Sequence, residues 1–189
     1  MERSWGDVSR VRTRVRIAGV CGALAGCLAL AGALGEAAAI PRSAPAAAAK
    51  ITPQGVGAVK LGETFSRLRA RHLVGRLGKG CELAGPNARA ASLSAPLKGT
   101  VDFTMSSPRK AVDISVRAGA TARGVGIGAT VPQIKAAFPK AKVDHSTDHA
   151  FALTLVRIPK NGGGRLQFGV DTKAHHVVLI GVPLIAFCE

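Results

Sequence analysis

The chain contains one short sequence pattern twice, and this duplication is the feature that most constrains its fold. Residues 59–70 align with residues 125–136 at an offset of 66, with apolar, Gly and Thr positions in common. Residues 101–105 align with residues 166–170 at an offset of 65. A nearly constant offset across two elements indicates a duplicated structural unit.

Each copy of the pattern predicts a short helix. Thr64 and Thr130 precede the predicted helices, and a Thr hydroxyl at that position accepts a hydrogen bond from an otherwise unpaired N–H of the first turn. Gln133 lies three residues after Thr130, which is the spacing of a capping box. We therefore predict helices over residues 64–71 and 130–138.

Apolar residues that alternate with polar ones predict strands after each helix. Residues 176–182 are apolar on both faces, so we expect them to form a central strand. The predicted strands cover residues 101–105, 112–116, 151–155, 166–170 and 176–182.

These elements predict an α+β fold. Two tandem helix-plus-antiparallel-hairpin units, at about 55–117 and 121–182, would form one sheet with the helices on one face.

The order of elements resembles a known fold. An apolar-Gly-x-Thr segment, a short helix and three or four antiparallel strands, repeated in tandem, resemble the β-lactamase-inhibitor-protein-like fold. One such unit is also similar to the small outer-membrane assembly lipoproteins. The inhibitors of that family bind their enzyme through a concave sheet rich in Tyr, Trp and Phe. This chain has no Tyr and a single Trp, Trp5, while Phe103 and Phe168 occupy equivalent core positions. The resemblance therefore implies the fold, and we do not expect inhibition of β-lactamase.

The sequence pattern of residues 1–39 is typical of a secretory signal peptide of a bacterial protein. Five arginines in the first 16 residues precede an uncharged apolar segment, and Ala37 to Ala39 offer a cleavage site. An uncleaved anchor is one alternative. A lipoprotein is another, because residues 24–27 resemble a lipobox with Cys27 as the lipidated residue. Residues 40–50, rich in Ala and Pro, predict a spacer, so we expect a secreted single domain over residues 51–189.

The predicted domain is strongly basic. The whole chain carries 26 Lys and Arg residues against 11 Asp and Glu residues. Most of this excess lies after the predicted signal, and a positive surface attracts acidic partners. Four of these cations lie in the predicted first helix and in the loop that we expect after it, and they form a candidate patch for an acidic partner: Arg67, Arg71, Arg76 and Lys79. A solvated face of a protein that is basic throughout is the alternative.

The sequence predicts no catalytic residue, no metal ligand and no cofactor, so we expect that the protein is not an enzyme. Four histidines have two alternative interpretations, a metal site at the His-rich segment or a solvated loop: His145, His149, His175 and His176. A domain without Tyr or Trp offers no stacking platform for nucleic acid. We expect neither sequence-specific nucleic-acid binding nor a small-molecule substrate.

The predicted function is a non-enzymatic binding module for an acidic secreted or envelope macromolecule. The first alternative is a basic protein that binds polyanions such as wall polymers, anionic lipid or nucleic acid by charge. The second is a metal-dependent enzyme that uses the His-rich segment. High salt distinguishes the predicted binding module from the polyanion-binding alternative, because it screens a contact made by charge alone more than a shape-specific one.

We predict one disulfide, between Cys81 and Cys188, because these are the two cysteines beyond the signal of an exported chain. The alternative is two buried thiols. The bridge would stabilise the fold by about 4–5 kcal/mol, because it closes a long loop. Mass spectrometry of unreduced peptides should find the two cysteines in one linked species, and two free thiols would contradict the prediction.

Overall fold

A computed structural model describes residues 47–159 and 165–187 of the chain. The predicted signal peptide and Cys188 lie outside the described residues. The described residues form an α+β fold with many strands and few helices, and this confirms the predicted class. No helix in these two ranges has the length and apolar character needed to cross a membrane.

The strands form two sheets. In chain order they are β1 (Ala49–Thr52), β2 (Gly55–Val56), β3 (Val59–Lys60), β4 (Val74–Lys79), β5 (Arg89–Leu93), β6 (Lys98–Phe103), β7 (Ala111–Ala118), β8 (Ala120–Ala122), β9 (Val125–Gly126), β10 (Lys142–Asp144), β11 (Leu153–Ile158), β12 (Leu166–Asp171) and β13 (Val177–Val182). The large sheet is antiparallel, in the order β10-β11-β12-β13-β7-β6-β5-β4. As predicted, β13 is a central strand.

The prediction of one sheet is wrong, because a second, small sheet has the order β3-β2-β1-β8-β9. Its strands are two to four residues long. Such short strands have too few positions to show an alternating pattern, so no pattern in the sequence predicted them. Strand β1 begins at Ala49, inside the segment predicted as a spacer, and pairs in parallel with β8.

The two predicted helices are present as α1 (Phe65–Ala70) and α2 (Val131–Ala137). The Thr64 hydroxyl accepts a hydrogen bond from the backbone N–H of Arg67 at 3.4 Å. Thr130 and Gln133 form the predicted capping box, in which the Thr130 backbone N–H donates to Gln133 Oε1 at 2.8 Å. Side-chain capping therefore sets the start of both helices, as the sequence indicated.

Two local predictions are wrong. The residues after α1, predicted as a loop, form strand β4, because Gly75 and Gly78 interrupt the alternation that would have identified it. Phe151 was predicted in a strand and instead ends a one-turn helix, α3 (Asp148–Phe151). The Phe151 backbone N–H donates a hydrogen bond to the Thr147 carbonyl at 2.9 Å. Phe151 therefore belongs to a local helical turn that ends before β11 begins.

The main core lies between the large sheet on one side and α1, α2 and the small sheet on the other. Leu68 of α1 and Ile134 of α2 are fully buried, and they belong to the same apolar cluster as Phe103 and Phe168 of the sheet. The predicted core positions of both phenylalanines are confirmed, since they are 4% and 0% exposed.

Backbone hydrogen bonds connect the segment before each helix to the large sheet. Before α1, the Gly62 N–H donates to the Ala111 carbonyl at 2.7 Å, and the Ala111 N–H donates to the Glu63 carbonyl at 2.9 Å. Before α2, residues 128 and 129 make the same pair of bonds with Val177, both at 2.8 Å. Each helix is thereby held at a defined place over the sheet.

We predict that Ile134→Ala lowers the free energy of unfolding by about 3 kcal/mol, because it leaves a cavity in a fully buried site. Urea unfolding followed by circular dichroism measures this change. The matched control is Lys135→Ala on the exposed side of the same helix, which should change stability by less than about 0.5 kcal/mol. Equal effects of the two substitutions would contradict this account of the core.

Candidate functional site

The four residues of the predicted basic patch lie on two elements. Arg67 is on α1 and Arg71 directly follows it, whereas Arg76 and Lys79 are on β4, the edge strand of the large sheet. All four side chains are exposed. The connection between α1 and β4 is fixed by Arg69, whose guanidinium donates to the Val74 carbonyl at 3.1 Å.

These cations lie on and beside the edge strand of the large sheet, where Arg76 and Lys79 are three residues apart. Helix α1 lies beside the start of β4, and Lys79 is the last residue of that strand. At about 3.3 Å per residue, Lys79 is about 10 Å further along the strand than Arg76. We call Arg67, Arg76 and Lys79 the edge strip.

Arg71 differs from the other three cations, because its guanidinium forms an ion pair with Glu63 at 2.9 Å. Among the described residues, the other ion pair of an Arg or Lys side chain joins Arg157 to Asp144. The edge strip therefore has no carboxylate within ion-pair distance in residues 47–159 and 165–187.

Two of the four histidines of the alternative metal site, His145 and His176, make local contacts with their side chains, and His149 and His175 are exposed. His145 Nδ1 lies 2.8 Å from Asp148 Oδ2, and Asp148 Oδ1 accepts a hydrogen bond from the Thr154 hydroxyl at 2.8 Å. The hydrogen bond from His145 lowers the pKa of Asp148. His176 Nδ1 lies 3.1 Å from the Ala174 carbonyl oxygen. Within the described parts of the chain, no three His, Cys, Asp or Glu side chains come together as a metal site.

The face of the large sheet opposite the helices is crossed by residues 183–187, which we call the C-terminal segment. Its Ile185 packs against Leu155 and Leu179 of the sheet, and its backbone N–H donates to the buried Gln167 Oε1 at 2.9 Å. Gly181 allows this close approach, because a Cβ there would lie 2.1 Å from the Leu184 carbonyl oxygen. No pattern in the sequence predicted that the C-terminal segment covers this face of the sheet.

The C-terminal segment also passes Cys81. Its last described residue, Phe187, stacks on Phe151 with the ring centroids 4.2 Å apart. The Phe187 carbonyl oxygen lies 3.5 Å from Cys81 Sγ. Cys188 is the next residue and lies outside the described ranges, so the Cys81–Cys188 disulfide stays a prediction.

Two aspartates face each other on the sheet beside the C-terminal segment. Asp102 of β6 pairs in register with Asp113 of β7, and both line a cavity of about 400 Å³ with Met105, Leu184 and Ala186. Asp113 is 6% exposed, and its Oδ2 has no hydrogen-bond partner among the described residues. Asp102 and Asp113 are polar positions in the apolar–polar alternation of β6 and β7. The sequence could not show that these two strands are neighbours in the sheet.

Burial controls the ionisation of this pair. Desolvation raises the pKa of Asp113 to about 7, the nearby Asp102 carboxylate raises it too, and hydrogen bonds from the Leu184 backbone and Ser115 act in the opposite direction. Desolvation also raises the pKa of Asp102. Near neutral pH the pair therefore tends to hold a proton instead of two negative charges.

No protein-family model, curated protein or solved structure matches this chain.

We predict that Asp113→Asn stabilises the protein at about pH 8 by up to about 4 kcal/mol and has little effect at about pH 3.5, at 1.36 kcal/mol per unit of pKa. The pKa of Asp113 is raised in the folded state. The folded wild type therefore keeps a proton that the unfolded chain has lost, and its stability falls as the pH rises from about 4 to about 7. Urea unfolding at both pH values measures the effect.

The control for this prediction is Asp171→Asn, which should have the opposite sign. Hydrogen bonds from the Ala174 and Lys173 backbone lower the pKa of Asp171. Its charge therefore stabilises the fold above the ordinary pKa of an aspartate, and this contribution is lost as the pH falls through the lowered value. Asp171→Asn should destabilise the protein at about pH 8. A wild-type stability that is flat between about pH 4 and 7 would contradict the assignment to Asp113.

Proposed function

We propose that this protein is a non-enzymatic binding module that recognises an acidic secreted or envelope macromolecule through the edge strip. The observation that carries the proposal is that Arg67, Arg76 and Lys79, which are exposed and have no carboxylate within ion-pair distance among the described residues, lie on and beside the edge strand β4 of the large sheet. Cations that the fold does not neutralise are available to a partner, and they increase the rate at which an acidic partner associates.

The position of the strip supports this role. Strand β4 pairs with β5 on one side and is the last strand of the large sheet in the described residues. Its outer backbone groups can accept an extended partner segment, while Arg76 and Lys79 contact acidic side chains of that segment. Without Tyr or Trp in the predicted domain, the contacts come from Arg, Lys and backbone groups.

Export is part of the proposal. It rests on the predicted signal over residues 1–39, with the lipoprotein anchored at Cys27 as the alternative. The 3.5 Å approach of Cys81 Sγ to the Phe187 carbonyl supports the predicted disulfide, because Phe187 is adjacent to Cys188. Disulfides form and persist in oxidising compartments outside the cytosol.

We infer in addition that the fold arose by duplication of one unit. The backbone bonds of Gly62 and Ala111 recur 66 residues later at Gly128 and Val177. Thr64 and Thr130, which begin the helices, are separated by the same offset. Four strands follow each helix, apart from the short β8 and β9. These correspondences support the tandem arrangement and the resemblance to the β-lactamase-inhibitor-protein-like fold.

The proposed surface differs from that of the inhibitors in this fold family, which use the concave face of the sheet. Here the C-terminal segment crosses the face of the sheet opposite the helices, with Ile185 buried against Leu155 and Leu179. We therefore assign recognition to the edge of the sheet and not to its face. The buried Asp102 and Asp113 beside this segment fit a structural role.

The test compares Arg67→Ser/Arg76→Ser/Lys79→Ser with a control that removes the same charge from exposed positions elsewhere, Lys60→Ser/Lys135→Ser/Lys173→Ser. Each protein is immobilised and exposed to the secreted and envelope fractions of the producing cells. We expect the edge-strip variant to lose roughly three- to a hundredfold in affinity for an acidic species that wild type and control capture, because three exposed ion pairs contribute about 0.2–1 kcal/mol each.

Two further measurements make the result decisive. Melting temperatures of all three proteins should agree, because exposed charges change stability by less than about 0.5 kcal/mol each. Capture should persist at about 0.5 M NaCl, whereas binding by charge alone, measured with polyglutamate as the probe, should be lost there. Equal capture by the edge-strip variant would overturn the proposal, and capture that disappears at high salt would favour the polyanion-binding alternative.

A further inference from the structure

A second candidate site lies at the opposite end of the sheet order from the edge strip. A cavity of about 380 Å³ opens where the small sheet, the end of α2 and the ends of β11 and β12 meet. Its size falls within the range of small-molecule sites, about 300–1,000 Å³. The walls are apolar and include Ile51, Phe138, Ile158 and Leu166.

Three cations contribute to the same cavity. Lys50 belongs to β1, Arg123 lies between β8 and β9, and Lys140 follows α2, so three separate segments bring positive charge to one opening. All three side chains are exposed, and no carboxylate is among the described residues that line the cavity.

Arg123 is held in position at the cavity. Its Nη1 donates to the Ala137 carbonyl at 3.2 Å, and its guanidinium carbon lies 5.0 Å from the centroid of the Phe138 ring. A guanidinium has five N–H donors, and one of them makes this bond. The stacked group is therefore oriented before a ligand arrives, with further donors for an anion.

The two features together define the chemistry of the ligand. A simple inorganic anion would leave the apolar walls in contact with water, and an uncharged hydrocarbon would leave the three cations unused. A volume of about 380 Å³ holds about a dozen water-sized groups at about 30 Å³ each. We propose that the cavity binds a single-chain amphiphilic anion: an acyl chain of about ten to twelve carbons in the cavity, with a carboxylate or phosphate headgroup at Lys50, Arg123 and Lys140.

This proposal is independent of the macromolecular partner, because the cavity shares no residue with the edge strip. A test of either site therefore leaves the other unaffected.

Calorimetric titration of the purified protein with four probes tests the ligand class. Laurate and dodecyl phosphate carry the proposed chain with the two possible anionic headgroups. Dodecanol has the same chain without charge, and dodecyltrimethylammonium carries the opposite charge. All are used below the concentration at which they aggregate. We expect at least one anion to bind about tenfold or more tightly than both controls, and the tighter anion identifies the headgroup.

Substitutions locate the site. Lys50→Gln/Lys140→Gln should weaken binding of the anion by roughly three- to tenfold, because each exposed charge contact is modest. Lys60→Gln/Lys135→Gln removes the same charge away from the cavity and should leave binding unchanged. Ala141→Phe places a ring in the cavity and should abolish binding, provided that its melting curve shows a folded protein. If Ala141→Phe does not fold, the comparison of Lys50→Gln/Lys140→Gln with Lys60→Gln/Lys135→Gln decides the test.

Any of three results would overturn the proposal. These are the absence of binding by both anions, equal binding of dodecanol and the tighter anion, and equal loss of affinity in the two glutamine pairs. Chemical-shift changes of Ile51, Phe138 and Leu166 on addition of the probe give a readout of position that does not depend on affinity.

Discussion

The antiparallel pairing of β13 with β7 connects the two halves of the large sheet, and the rest of the structure depends on it. Ile180 pairs with Val116 and Val182 with Ile114, and all four side chains are fully buried under the helices and the small sheet. Because the side chains of a strand alternate between faces, Gly181 lies on the other face. There it leaves the space into which the C-terminal segment packs. One strand pair therefore supports both layers of the molecule.

The distribution of charge follows from this arrangement. Burial beside the C-terminal segment raises the pKa values of Asp102 and Asp113, so two of the few acidic residues contribute less negative charge near neutral pH. Asp144 and Asp148 make local contacts with Arg157 and His145. The cations lie mostly at the surface, and among the described residues Arg71 and Arg157 are the ones that form ion pairs with carboxylates.

Local patterns allowed the correct prediction of both helices but not of every strand. The Thr130 and Gln133 pair marks a helix start within four residues, because both partners of the hydrogen bond are close in sequence. Strand β4 was missed, since its glycines hide the alternation and only pairing with β5 makes it a strand. For the same reason Arg76 and Lys79 were predicted in the right part of the chain but with the wrong conformation.

The sequence by itself determined the α+β class, the starts of the two helices, the core positions of Phe103 and Phe168 and the excess of positive charge. These depend on periodicity, capping and composition, which are properties of short windows. The tertiary structure decided which face of the sheet is covered, the pairing of Asp102 with Asp113 and the meeting of cations from three segments at one cavity. Such contacts join residues as far apart as Cys81 and Phe187. They depend on the order and register of strands, and no local pattern carries that information.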